Sequence, residues 1–255
     1  MSLYAEERQQ RILTRAQGEG RVEVAALAVE LDVTQETIRR DLDRLERQGL
    51  LRRVHGGAIP ANHLGFEPGL SQRDALASSE KARIARAAAS LLPRQGTVLI
   101  DAGTSTARLA TALPDDSELT VVTNALPIAT ALARRPAMTV HLVGGRVRGR
   151  TLATVDTWAL QILAGLNVDV AVLGTNGISV ERGLTTPDLA EAGVKAAMVA
   201  AGRRVIVLAD SSKVGQDQFA RFASLAEVDA VVTDGDMTPA DRDAITAAGP
   251  DVVVG

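Results

Sequence analysis

The chain contains no cysteine, which excludes disulfides and thiolate metal sites and suits a reducing cytoplasm. Aromatic residues make up only 2% of its 255 residues, too few for the stacking platforms that single-strand binders rely on. No apolar run approaches the length needed to cross a bilayer, so no membrane partner is expected. The N-terminus starts with polar, charged sequence and shows no signal peptide, and a cytoplasmic location is expected. His55, His63 and His141 are too dispersed to make a metal motif, and nothing asks for a cofactor. A formal net charge of −3 argues against a nonspecific nucleic-acid coat but is compatible with local cations. What is present is a 46% hydrophobic content, enough for a substantial core, with room for a small module plus one full domain.

The most informative stretch is Thr34 to Gly57, TQETIRRDLDRLERQGLLRRVHGG. Thr34 is a helix-capping residue, and Ile38, Leu42 and Leu45 then fall at spacings of four and three on one stripe. Gln35, Thr37, Arg39 and Arg40 are left on the open side near the helix start. A major-groove reader needs that chemistry, because arginine bridges guanine acceptors, glutamine bridges adenine and further cations neutralise phosphates. Taken alone, the stretch reads equally well as a solvated amphipathic helix. Its context decides. Tyr4 to Gly18 and Val24 to Leu31 supply two earlier helices, so the three describe a helix-turn-helix module. Leu50 to Ala58 follows as a β-wing, with Arg52, Arg53 and His55 placed to meet backbone phosphate. The module is expected over residues 1–58, and 59–79 reads as a Pro/Gly linker that turns helical towards its end.

Over residues 80–255 the pattern changes. Glu80 to Leu92 is an Ala-rich helix with Ile84, Ala88 and Leu91 inward. Short β-branched runs follow at Thr97–Asp101, Leu119–Thr123, Thr139–Val143, Val168–Gly174, Arg203–Asp210, Asp229–Thr233 and Asp251–Val254. Between them, helices are expected at 107–113, 127–134, 157–166, 189–201 and 239–248. Continuous apolar runs, rather than alternation, predict strands buried on both faces of a mostly parallel α/β sheet.

Ligands of such sheets sit beyond the carboxyl ends of the strands, and those ends are polar and glycine-rich here. Asp101-Ala102-Gly103-Thr104-Ser105-Thr106 leads into a helix whose amides and hydroxyls make a phosphate cradle, although an ordinary helix cap reads nearly as well. Thr123-Asn124, Gly144-Gly145, Gly174–Gly177 and Asp210–Lys213 add hydroxyls, amides and charge. Glu191 and Lys195, after Asp188, are four apart, and as an isolated pair they are more simply a surface ion pair. Together the strand ends describe a pocket for a small, polyhydroxylated, anionic ligand.

The same residues carry a family resemblance. VTQETIRRDLDRLERQGLLRRVHGGA resembles the N-terminal signature of DeoR-type bacterial transcriptional repressors. IDAGTST, VVTN, HLVGG, DVAVLGTNGIS, GLTTPDLAEAGVK and VIVLADSSKVG resemble, in order, the sugar-phosphate-sensing domain of that family, so the likeness covers nearly the whole chain. It implies Gln35, Thr37, Arg39 and Arg40 as base and phosphate readers, flanked by Thr34 and by Arg53 and His55 of the wing. It implies an effector site from Asp101, Gly103, Thr104, Ser105, Thr106, Thr123, Asn124, Gly144, Gly145, Asp188, Glu191 and Lys195, with Asp210 and Lys213 nearby. The expected partners are double-stranded operator DNA and a phosphorylated sugar, with the chain acting as a homodimer or homotetramer because symmetric half-sites need symmetric proteins. GRVRGRTLATVDTWAL and ERGLTTPDLAEA look most like the fructose-operon repressors, a lean towards a fructose phosphate. Asp156 departs from the pattern, since many members have glycine there. The sheet is also similar to ribose-5-phosphate isomerase, which makes an isomerase the rival expectation and an activator of the same architecture a third. Against catalysis, the loop Gly174-Thr175-Asn176-Gly177-Ile178-Ser179 has no titratable group to move a proton.

Overall fold

The structure, a computed structural model, describes residues 5–60 and 69–255. The expected linker therefore lies partly outside the described residues, as do His63 and Tyr4. The chain divides into two compact units, Met1–Leu76 and Ala77–Gly255.

In the first unit, helices α1 (Ala5–Glu19), α2 (Val24–Glu30) and α3 (Gln35–Arg47) precede a hairpin of β2 (Leu51–Val54) and β3 (Gly57–Pro60). A two-residue strand between α1 and α2, β1 (Val22–Glu23), joins β3, giving the sheet order β1-β3-β2; α4 (Leu70–Ala75) follows the hairpin. β1 was not expected, because two residues carry no periodicity. Its pairing depends on Gly57, where a Cβ would stand 2.0 Å from the Val22 carbonyl oxygen. The stripe on α3 is buried as its spacing predicts: Ile38 and Leu42 are 0% and Leu45 2% exposed, packed with Ile12, Leu27 and Leu51. Each such side chain contributes about 1.5–3 kcal/mol. The Thr34 hydroxyl caps α3 by accepting the Thr37 N–H at 3.2 Å. Behind the stripe, buried Asp41 accepts from Arg8 Nε at 2.5 Å and Gln9 Nε2 at 2.9 Å, which fastens α3 to α1.

The second unit is built on a seven-stranded sheet in which every neighbouring pair is parallel. In chain order its elements begin with α5 (Ser78–Ser90), β4 (Gln95–Ile100), α6 (Thr104–Ala112), β5 (Glu118–Thr123), α7 (Leu126–Leu132) and β6 (Thr139–Leu142). A hairpin of β7 (Arg146–Arg148) and β8 (Ala153–Val155) follows, then α8 (Thr157–Leu163) and β9 (Val170–Gly174). Next come β10 (Gly177–Ser179), β11 (Gly183–Thr186), α9 (Leu189–Ala201), β12 (Val205–Leu208) and β13 (Ala220–Ala223). The unit ends with β14 (Ala230–Thr233), α10 (Pro239–Ala247) and β15 (Asp251–Val254). The large sheet has the order β15-β14-β12-β9-β4-β5-β6, so all seven expected strands form it.

Both faces of the sheet are covered. Val98, Ile100, Val170, Val172 and Ile206 join a core with α5, α6 and α7, while Leu99, Ala171, Leu173 and Val207 join another with α8, α9 and α10. That double burial is why the strands read as unbroken apolar runs. From β4 the chain winds outward through β5 and β6, then returns to lay β9 on the other side of β4. The strand order reverses between β4 and β9, and ligands of open α/β sheets bind at the carboxyl side of such a reversal. The hairpin β7–β8 and the antiparallel sheet β10-β11-β13 were not expected from the sequence. Their strands are three or four residues long and interrupted by glycine and arginine, too short to show a period.

Candidate functional site

At the reversal point, Asp101 follows the last residue of β4, and its backbone N–H donates to Val172 of β9 at 3.0 Å. The side chain is 1% exposed and accepts the Gly174 N–H at 3.1 Å. Lys195, from the second turn of α9 and 4% exposed, donates to the same carboxylate oxygen and to the Gly174 carbonyl at 2.9 Å. Its ammonium also stands 5.4 Å from the centroid of the Phe222 ring. Burial pushes the Asp101 carboxyl above its ordinary range, and the Lys195 charge pulls it back down.

Beside Asp101, α6 starts at Thr104 after Gly103, with Ala107 N–H donating to the Gly103 carbonyl at 3.0 Å. The amides of Thr104, Ser105 and Thr106 precede that bond and have no helical acceptor. Thr104 and Thr106 are buried, and Thr106 turns its hydroxyl back to the Gly103 carbonyl at 3.0 Å.

Thr123 and Asn124 close the wall at the end of β5. The Thr123 hydroxyl donates to the Ile100 carbonyl at 2.6 Å and accepts the Ala125 N–H. Asn124 accepts the Ala102 N–H at 3.0 Å and donates to the Thr154 carbonyl at 3.3 Å. Both side chains stitch neighbouring backbone together. Gly144 and Gly145 then carry the chain from β6 to β7, and Gly145 has φ +148°, where a Cβ would stand 2.6 Å from the Val155 carbonyl oxygen.

On the remaining side, Asp188 caps α9 by accepting the Glu191 N–H at 3.0 Å. Glu191 is 6% exposed and accepts from the Thr151 hydroxyl at 2.5 Å and from Arg148 Nη1 at 3.1 Å. Arg148 Nε lies 3.1 Å from Asp188. Glu191 and Lys195 do not form the surface ion pair that their spacing alone would suggest: both are buried, and each charge is taken by another element. Arg148, Thr151 and Thr154 were not foreseen as part of this wall. Their one sequence signal is the polar run between two strand-like segments, and only the fold of the hairpin turns Arg148 and Thr151 towards α9 and Thr154 towards the end of β6.

Asp210 and Lys213 stand at the end of β12, where the Asp210 carboxylate accepts the Ser212 hydroxyl. Among the described residues no hydrogen bond or ion pair joins either of them to Asp101, Glu191 or Lys195. Asp156, at the cap of α8, has φ +75° and ψ −168°, a conformation suited to glycine, and its carboxylate pairs with Arg146 at 2.5 Å.

In the first unit, Gln35, Arg39 and Arg40 are exposed on α3, and the Arg40 side chain is 79% exposed. Arg39 donates to Gln35 at 3.3 Å, and Glu36 lies 3.6 Å from Arg39 and 3.5 Å from Arg40. Thr37 shares a hydroxyl contact with Thr34 at 2.9 Å. Arg53 leans back onto α3, pairing with Asp43 and donating to the Arg39 carbonyl at 3.3 Å. Arg52 and His55 are exposed on the wing.

Residues 8–63 match the DeoR-like helix-turn-helix domain, and residues 76–235 match the DeoR C terminal sensor domain. The HTH-type transcriptional regulator GlpR of Haloferax volcanii is 39% identical over 98% of this chain and 97% of its own. A regulator named FruR from Bacillus subtilis is 34% identical over 90% of this chain and 91% of its own. The glycerol-3-phosphate regulon repressor of Escherichia coli is 34% identical, covering 88% of each chain. Among solved structures, ribose 5-phosphate isomerase A from Methanocaldococcus jannaschii aligns with a TM-score of 0.41 and 13% identity over 55% of this chain and 56% of that one, too distant to transfer any property.

Proposed function

This chain belongs to the DeoR family of DNA-binding transcriptional regulators, and from that premise we propose that it represses a sugar-utilisation operon and leaves operator DNA when a phosphorylated sugar fills the pocket around Asp101 and Lys195. The observation that carries the reading is the meeting of Asp101, Lys195 and Gly174 at the sheet's reversal point, beside the open amides of α6. In this reading the phosphate takes the amides and hydroxyls of Thr104 to Thr106, and the carboxylates of Glu191 and Asp188 take sugar hydroxyls. Thr123, Asn124, Gly144 and Gly145 shape the wall, with Asp210 and Lys213 nearby.

Gln35, Thr37, Arg39 and Arg40 read the major groove, with Arg52 and His55 on flanking phosphates. Arg53 serves mainly to brace the wing, given its bonds to Asp43 and to the Arg39 carbonyl. Two or four copies bind symmetric half-sites. Operator and effector oppose one another by linkage, each lowering the affinity for the other.

As a DeoR regulator the protein is not an enzyme. Fitting that, the Asp101 carboxylate is committed to Lys195 and Glu191 to Arg148 and Thr151, and the loop after β9 holds no proton-transfer group. A thermal-shift screen of fructose 1-phosphate, fructose 6-phosphate, glycerol 3-phosphate and their unphosphorylated parents tests the ligand class, since a ligand of the native state raises its melting point. A fructose phosphate is expected to give the largest shift. Repeating an operator titration with the best ligand then reads the direction: weaker binding supports a repressor released by its effector, and tighter binding overturns it.

A further inference from the structure

The hairpin β7–β8 is held from two sides by different means. Its β8 strand is stitched to the end of β5, with the Thr154 N–H donating to Asn124 at 2.8 Å and a bridge pairing Ala125 with Ala153. Its β7 strand and turn reach the opposite way, to α9. Arg148 of β7 spans two carboxylates there, with Nε 3.1 Å from Asp188 Oδ2 and Nη1 3.1 Å from Glu191 Oε1. Thr151, in the turn, donates to the same Glu191 oxygen at 2.5 Å. The side chains of Arg148 and Glu191 are 17% and 8% exposed, so water screens this contact far less than a surface pair.

The charges around the pocket add a second observation. Asp101, Asp188 and Glu191 supply three carboxylates against the two cations Lys195 and Arg148, and Lys195 is already spent on Asp101. Arg148 spans Asp188 and Glu191, with Arg146 also in the field of Asp188, so an anion entering beside them meets less negative charge than it would without Arg148.

We infer that Arg148 is the positioning residue through which occupancy of the pocket reaches the hairpin. It holds residues 146–151 on the first turn of α9, and its charge lets an anionic ligand share the pocket with three carboxylates. The second half of this statement rests on the reading of the pocket as a sugar-phosphate site; the first half does not.

The protein and its R148A and R148K variants provide the test, with fructose 1-phosphate and inorganic phosphate as probes. Hydrogen exchange of peptides covering 146–155 reads the hairpin directly. Trp158, the single tryptophan, is 72% exposed and lines a cavity of about 330 Å³ with Arg146, Val155 and Asp156, so its emission reports on the same segment. Without probe, R148A is expected to exchange about tenfold faster over 146–151 while strands β4 and β9 keep their protection. With probe, the parent hairpin is expected to gain protection, and R148A to need about tenfold more ligand for the same change in Trp158 emission. R148K keeps the charge without spanning both carboxylates, so it recovers part of the affinity and little of the protection, and it carries the test if R148A is globally unstable. Parent-like exchange in both variants overturns the hold on the hairpin. Parent-like probe affinity in R148A overturns the charge role. If no probe binds the parent while R148A still loosens 146–151, the sugar-phosphate reading fails and the hold of Arg148 stands.

Discussion

Glu191 and Lys195 stand one turn apart on α9, yet each gives its charge to a different strand end: Lys195 to Asp101 of β4, and Glu191 to Arg148 of β7. The helix thus binds two strands that are 47 residues apart in the chain, Asp101 and Arg148 being their contact points. A pair that spacing alone assigns to the surface is buried, and ties α9 to two other elements.

Asp101 and Lys195 are both almost fully buried, so removing one partner leaves the other charge stranded. K195M and D101N are each expected to cost about 3–5 kcal/mol, and the double variant less than their sum, because a neutral pair strands nothing. Urea denaturation of the four proteins reads this, and strict additivity would show that the two charges are not coupled.

The same pair predicts a pH effect. Without Lys195, burial raises the Asp101 carboxyl further above its unfolded value. The folded state then holds a proton that the unfolded state has lost, and stability falls as pH rises across the interval between the two values. The penalty of K195M relative to the parent is therefore expected to be smaller at mildly acidic pH than at alkaline pH. A penalty that grows on acidification would contradict the assignment.

Asp41 is a buried tie between α3 and α1, and D41A removes the carboxylate that accepts from both Arg8 and Gln9. The expected cost is about 3–5 kcal/mol, confined to the first unit. Hydrogen exchange should show lost protection across 5–60 and unchanged protection over 77–255. Loss in both units would mean that their stabilities are linked.

Arg40 is exposed and, among the described residues, makes one long contact, to Glu36. If it meets a phosphate, R40A lowers the slope of log affinity against log salt by about 1 for duplex DNA and leaves ligand-induced melting shifts unchanged. An unchanged slope would remove Arg40 from the interface.

Gly145 combines a positive φ with a backbone approach that a methyl group would block. G145A is expected to cost about 1–3 kcal/mol and to displace the hairpin it leads into. Parent-like stability and hairpin exchange would show that the strand end can relax around a side chain.

The three helices, the wing and the seven strands of the sheet were legible because each carries its own period or an unbroken β-branched run. That Asp101, Gly174 and Lys195 would come together was legible in part, since strand ends in a parallel sheet converge wherever they lie in the chain. Arg148 and Thr151 were not, because a three-residue strand has no period and an arginine run looks like solvated surface. Arg53 likewise reads as a wing cation until the hairpin folds and brings it within reach of Asp43.

The sequence by itself determined which segments bury which faces, because the spacing of apolar side chains along one helix or strand is a local property. It also determined that the polar residues gather at strand ends, where a parallel sheet has to turn. Tertiary structure alone decided how the charges pair. Partners such as Lys195 and Asp101, 94 residues apart, are chosen by geometry and by the cost of leaving a buried charge alone, and neither is written in any local stretch of chain.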